Sequence, residues 1–297
     1  MAWDIFMGKY TVVTKNKKDF YENKFFPKKW LGQHFLLDEN IRDKIIKAAS
    51  LTPNDILLEI GPGKGFLTHS LTKIANHVIA IEIDNDLSQS LHKNLGNPNN
   101  LTILTQDARN TNFSALIQNQ RKYKFMGNLP YYAASPIIRK VLTSEKKPSE
   151  IIIMLQLEVA QRMVAQPGKM SLLSVFTQMF GNPTIIAKVK PTSFYPRPKV
   201  FSAIVRIEVF QKPLISQKQQ LSFFNFLKIG FNTPRKQLHN ALSNGLNSPS
   251  DEIKLILNKC GINYTQRPAS LNLDNWYSLY EILEPQIPSM DKDIEIS

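Results

Sequence analysis

Asn128, Leu129, Pro130 and Tyr131 place an amide, an extended backbone, a locked ring and an aromatic face in four consecutive positions. The side-chain carbonyl of Asn128 and the backbone carbonyl of Leu129 can each accept a hydrogen bond. Together they suit the exocyclic amine of a flat base. Pro130 fixes its own φ, biases Leu129 toward extended backbone and brings no N–H to compete for an acceptor. Tyr131 offers a ring for the base to lie against, a contact worth roughly 1–3 kcal/mol. The same four residues also describe a turn that ends a strand, so the rest of the chain must decide between the readings.

A second constellation lies upstream. Gly61-Pro62-Gly63-Lys64-Gly65 follows the apolar run 56–60, and such a turn lets backbone approach a ligand closely. Dinucleotide enzymes space their glycines as G-x-G-x-x-G to seat a pyrophosphate, whereas here the spacing is G-x-G-x-G. Glu82 follows about 20 residues later, where a carboxylate accepts from ribose hydroxyls. Asp107, farther along, offers acceptor oxygens to an adenine amine. A glycine turn, a ribose acid and an adenine acid suggest an adenosine cofactor. S-adenosylmethionine fits better than NAD, because no phosphate clamp is evident. Solvated strand-end charge is the competing reading for Glu82 or Asp107 taken singly.

The elements that must position these groups alternate. Strands are expected at 56–60, 78–83, 101–104, 122–126, 151–155, 184–189 and 202–209. Helices are expected after Asp38, after the glycine turn, around 87–95, from Ser135-Pro136 through Leu142, and at 158–165 and 171–180. This alternation predicts an α/β fold, a parallel sheet with helices on both faces. Ligands collect at the carboxyl ends of such strands, which is where the glycine turn, Glu82, Asp107 and Asn128 all fall. Past residue 212 only short helices are expected, at 221–231, 237–242, 251–259 and 275–283. The expected organisation is therefore an N-terminal extension (1–27), a catalytic domain (28–212), a small all-helical C-terminal domain (213–285) and a tail (286–297).

Composition narrows the partners. The chain has 297 residues, 42% of them apolar, and a formal net charge of +13. Such charge attracts polyanions, with nucleic acid the first candidate. No apolar run reaches the about 18 residues needed to span a membrane. The start is rich in lysine and aromatics without an apolar h-region, so a secretory leader is not expected. A single cysteine, Cys260, excludes an internal disulfide framework and a cysteine-based metal cluster. It points to a reducing, cytoplasmic setting.

With these residues in order, the chain resembles the ribosomal small-subunit RNA adenine N6,N6-dimethyltransferases, relatives of the erythromycin-resistance RNA methyltransferases. The supporting segments are Gly32-Gln33-His34-Phe35-Leu36, Leu58-Glu59-Ile60-Gly61-Pro62-Gly63-Lys64-Gly65-Phe66-Leu67-Thr68 and Asn128-Leu129-Pro130-Tyr131-Tyr132. Met154 to Arg162 and Pro191 to Val200 add to them. The resemblance covers about residues 28–280. It implies a Rossmann-like S-adenosylmethionine-dependent methyltransferase sheet. Gln33, His34 and Leu36 would then close over the cofactor's methionine end, where relatives often carry Asn at the position of His34. Gly61 would lie along the methionine moiety, Glu82 on the ribose and Asp107 on the adenine, with Gly63 and Asn128 also touching the cofactor. Phe194 would be the second aromatic face of the base pocket, opposite Tyr131; its own context, a Pro-rich loop, equally describes an apolar anchor. Arg197, Lys199, Arg235 and Lys236 would contact phosphates, which position RNA rather than read it. Arg235-Lys236-Gln237-Leu238 resembles the basic helix start of the small-subunit enzymes. Two departures stand out: the loop between Pro167 and Leu172 is shorter and lacks a Tyr-Gly pair, and the 27 N-terminal residues exceed the compact family start.

The implied reaction is dimethylation of two adjacent adenosines near the 3′ end of small-subunit ribosomal RNA, on an immature small subunit, by a monomer that needs no metal. The alternatives are methylation of large-subunit RNA giving macrolide-type resistance, a non-catalytic RNA-binding assembly factor, and a nucleotide-dependent oxidoreductase, whose glycine spacing differs.

Overall fold

A computed structural model describes residues 27–117, 122–213 and 215–288. The N-terminal extension (except Pro27) and most of the tail lie outside the described residues. Nine strands are present among them: β1 (Phe35–Leu36), β2 (Ile56–Ile60), β3 (His77–Glu82), β4 (Leu101–Thr105), β5 (Lys124–Asn128), β6 (Glu150–Gln156), β7 (Gly181–Val189), β8 (Phe194–Tyr195) and β9 (Ser202–Val209). Seven of them form one sheet in the order β4-β3-β2-β5-β6-β9-β7. All five residues of β2 are buried, as a central strand covered on both faces requires.

The sheet is mixed rather than wholly parallel, which corrects the expectation from alternation. β4, β3, β2, β5 and β6 run parallel, but β9 is antiparallel to both β6 and β7. β7 reaches β9 through a loop rather than a crossover helix, so the chain comes back antiparallel. Periodicity shows that a strand exists, not its direction.

Helices cover both faces. One core holds Ile41, Ile45 and Ala49 of the helix Glu39–Ala49 with Leu71, Met126, Met154 and Phe194. Asp38 caps that helix, its carboxylate accepting from the Asn40 N–H at 3.1 Å. The other core holds Ile137, Ile138 and Val141 of Ala134–Thr143 and runs on into the C-terminal helices. Those helices are Gln220–Phe231, Leu238–Leu246, Ser250–Lys259 and Leu273–Leu283. Phe224 meets Phe176 edge-on at 5.5 Å, and Phe223 meets Tyr280 at 5.1 Å. The helical region therefore shares apolar packing with the sheet.

Two differences in boundary matter for the rim. The strand expected at 122–126 runs Lys124–Asn128, so Asn128 is its last paired residue, opposite Met154. Pairing on both sides, Gly127 with Ile60 and with Ile153, carries the strand past its apolar run. Gly127 is obligatory there, because a Cβ would stand 2.4 Å from the Ile60 carbonyl oxygen. The second difference is a two-stranded antiparallel sheet of β1 and β8, with Phe35 opposite Tyr195 and Leu36 opposite Phe194. Two-residue strands leave no periodic trace in a sequence.

Among the described residues no helix is long and apolar enough to cross a membrane. No group of three or more His, Cys, Asp or Glu is placed to hold a metal ion among them.

Candidate active site

A crevice of about 890 Å³, counting its open mouth, lies at the carboxyl ends of β2, β3 and β5. Its walls are the segment Leu31 to Leu36, the turn after β2, Glu82, and Asn128 through Tyr131. Gly61 and Gly63 take φ of +69° and +57°, which side-chain-bearing residues rarely adopt. A Cβ on Gly61 would sit 3.3 Å from the Asn128 carbonyl oxygen, and one on Gly63 3.0 Å from the Phe35 ring. The glycines thus bring the turn flush against the neighbouring strand and the segment above it.

Glu82 is buried, and backbone amides hold its carboxylate. The Gly63 N–H donates to Oε2 and the Asp84 N–H to Oε1, each at 3.0 Å. The carboxylate retains acceptor capacity beyond these bonds. Burial raises the carboxyl above the usual range, against those hydrogen bonds and one from the Ile83 backbone.

Asn128 is oriented from outside its own strand. Its Nδ2 donates to the His34 backbone carbonyl at 2.8 Å. A carbonyl can only accept, so the amide nitrogen must face His34 and Oδ1 must face away from it. Among the described residues no group donates to Oδ1 or to the Leu129 carbonyl. Leu129 is itself buried and tied by its N–H to Met154 at 3.1 Å. Two acceptors therefore stand unspent at the end of β5. Beside them, the Tyr131 hydroxyl meets Ser202 Oγ at 2.7 Å, and its ring lies 5.7 Å from the His34 ring at 30°. His34 Nδ1 stands 2.7 Å from the Pro196 carbonyl, a contact that requires the proton on Nδ1.

The segment above the crevice is strapped down. Gln33 spends both ends of its amide, donating to Asp84 at 2.8 Å and accepting from the Lys28 N–H at 2.8 Å. Lys28 bridges Asp84 and Asp86, each at 2.8 Å. On the other side the Leu37 N–H donates to the Ser193 carbonyl at 2.9 Å, beside the β1–β8 pairing.

The remaining expected residues stand elsewhere. Asp107 lies two positions past β4 and is not on the crevice wall. Arg109 chelates its carboxylate, with contacts of 2.7 to 3.1 Å, and holds it below the usual range. The Arg109 guanidinium also lies 5.4 Å from the centre of the Tyr132 ring. Phe194 is only 3% exposed and packs in the core with Leu36. Its backbone pairs with Leu36 of β1, and it is not among the residues that line the crevice. Arg197, Lys199, Arg235 and Lys236 are exposed. The last two precede the helix Leu238–Leu246 rather than start it.

Two residues on or beside the crevice carried no expected role. Glu59, on β2, is 1% exposed, and its Oε2 has no hydrogen-bond partner. Burial pushes its carboxyl up to about 8, helped by the neighbouring Glu82 charge. The signal was available: an acid inside the apolar run 56–60. Ser202, which holds the Tyr131 hydroxyl, left no such trace, because only the β6–β9 pairing brings it near.

Comparison with known proteins places the chain in one family. The family model for ribosomal RNA adenine dimethylase matches residues 24–284. The ribosomal RNA small subunit methyltransferase A of Dehalococcoides mccartyi is 38% identical over 252 residues, 85% of this chain and 87% of its own. Its namesake from Clostridium botulinum is 38% identical over 276 residues, 91% and 99% of the two chains. Among solved structures, a dimethyladenosine transferase from Plasmodium falciparum superposes with a TM-score of 0.73 at 28% identity, covering 85% and 98%. The 23S rRNA methyltransferase ErmE gives 0.68 at 26% identity, covering 84% and 99%.

Proposed function

The chain belongs to the ribosomal RNA adenine dimethylase family, and on that premise we propose how its rim performs the reaction and on which RNA. It is a ribosomal RNA adenine N6-dimethyltransferase of the small-subunit type. The proposed substrate is a pair of adjacent adenosines near the 3′ end of small-subunit RNA, met on an immature subunit. The proposed methyl donor is S-adenosylmethionine, which when bound supplies an electrophilic methyl group on a sulfonium.

The residues present fit such a donor. Positive-φ glycines leave a flush cradle, buried Glu82 keeps acceptor capacity for a ribose, and the orphaned Oε2 of Glu59 suits a cationic amino group. Gly61, Gly63 and Glu82 would hold it, with Gln33, His34 and Leu36 closing the segment above. Asp107 could join only by sharing its carboxylate with Arg109.

The single observation that carries the mechanism is the fixed amide of Asn128. The lone pair of an adenine N6 is delocalised into the ring, which makes the amine a poor nucleophile. Asn128 Oδ1 and the Leu129 carbonyl accept its two hydrogens and draw the nitrogen toward tetrahedral geometry, aiming the lone pair into the crevice. Positioning supplies most of the acceleration. No strong base is needed, because the methylated ammonium is acidic enough to lose its proton to water. Extruding the base from its stack costs a few kcal/mol, and Tyr131 offsets part of that by stacking.

Incubating immature small subunits and, separately, large-subunit RNA with labelled S-adenosylmethionine, then mapping dimethyladenosine on both RNAs by primer extension, tests this reading. Signal on small-subunit RNA alone is expected. Signal confined to large-subunit RNA would transfer the chain to the resistance branch, and no incorporation would make it a non-catalytic binder.

A further inference from the structure

Phe201 is exposed at the start of β9, one residue before the Ser202 that holds Tyr131, and 40% of its surface faces solvent. The Lys188 ammonium stands 4.1 Å from the centre of its ring. The two share a sheet face, since Lys188 pairs with Ala203, two positions along the strand from Phe201. Successive strand residues point to opposite faces. Ser202 serves Tyr131 at the target pocket, so Phe201 stands just over the rim from it, with its Cα about 3.8 Å away.

Further cations lie near Phe201 along the chain, at the end of β7 and in the loop that leads to β9. Lys188, Lys190, Arg197 and Lys199 are all exposed, and among the described residues none has a carboxylate within salt-bridge distance. An unpaired basic track near an exposed aromatic is the arrangement that holds single-stranded nucleic acid: charge follows the backbone, and the ring stacks a base without reading it. A buried-face role is excluded by the exposure. A protein partner would more naturally meet this track with acidic groups, whereas the substrate already brings phosphates to the adjacent rim.

The geometry points to Phe201, with Lys188 against one face of its ring, as a stacking platform for the nucleotide next to the target adenosine. The inference rests on the RNA-modifying reading above and adds a second stacking point outside the catalytic pocket. A strand pinned on both sides of the rim keeps the extruded adenosine in register, and the cations set the path of its backbone.

The test compares Phe201→Ala, Phe201→Leu and Phe201→Trp in the full chain, with unmethylated small subunits and S-adenosylmethionine. KM for the particle should rise about tenfold in the alanine variant, within the range for a lost base–aromatic stack. The kcat should be kept. Leucine keeps the apolar bulk but has no π-face, so it should be as defective as alanine, while tryptophan should restore wild-type KM. Binding of the particle, measured without methyl donor, should follow the same order. That readout is independent of turnover, so a wild-type protein that fails to methylate adenine would sink the enzymatic reading without touching this one. Unchanged KM in the alanine variant overturns the platform, as does a leucine variant that behaves like wild type.

Discussion

The Asn128 side chain is held by the His34 backbone carbonyl at 2.8 Å, across 94 positions of sequence. This one bond decides which end of the amide is spent and which is free. Asn128→Ala should lower kcat by roughly 10²-fold, the scale for one positioned hydrogen-bonding group at a reacting centre, with RNA affinity retained. Asn128→Asp should be at least as damaging, since a carboxylate cannot donate to the His34 carbonyl. Single-turnover methyl transfer checks both, and an alanine variant with normal turnover would remove Asn128 from the mechanism.

Tyr131 contributes a ring and a hydroxyl that can be separated. Tyr131→Phe keeps the stacking face and loses the contact with Ser202, so it should cost about 1 kcal/mol of stability and little activity. Tyr131→Ala should weaken capture of the extruded base, at a cost of roughly 1–3 kcal/mol. Equal single-turnover rates for the alanine and wild-type enzymes would show that the ring does not stack the base.

Glu59 gives the ligand-free protein a pH dependence of definite sign. Its carboxyl titrates near 4.5 unfolded and near 8 folded, so its contribution to stability is whole below pH 4.5. That contribution is lost progressively as pH rises to about 8. Wild-type Tm should therefore decline between pH 6 and 9 more steeply than that of Glu59→Gln, and parallel curves would contradict the burial argument. If a cationic amino group pairs with Glu59, binding S-adenosylmethionine at pH 7 should release protons, seen as a buffer-dependent calorimetric heat.

Arg235 and Lys236 form a basic corner ahead of the helix Leu238–Leu246. Replacing both with alanine should weaken RNA binding with little regard to sequence. It should also flatten the plot of log K against log salt by roughly 0.7 per lost phosphate contact on single-stranded RNA. An unchanged slope in a salt titration would leave them as solvated surface charge.

Gly127 tests the close approach behind the rim. Gly127→Ala would drive a Cβ to within 2.4 Å of the Ile60 carbonyl oxygen, so the variant should be strongly destabilised, by roughly 1–3 kcal/mol or more. Denaturant unfolding measures it, and a wild-type midpoint would mean that β2 and β5 can part without cost.

What local sequence determined is the alternation of strands and helices, the helical C-terminal region, and the acids and amide that fall at strand ends. Apolar period and glycine spacing are properties of neighbouring residues, so Ile56–Ile60 and Ser202–Val209 could be read from the chain. Tertiary structure decided the rest: the reversal of β9 and the pairing of Phe35–Leu36 with Phe194–Tyr195. It also buried Phe194, left Glu59 buried without a partner for Oε2, and aimed Asn128 by a carbonyl from another part of the fold. Hydrogen bonds and desolvation depend on which atoms meet in space, and no local pattern specifies the partner that closes a contact across the sheet.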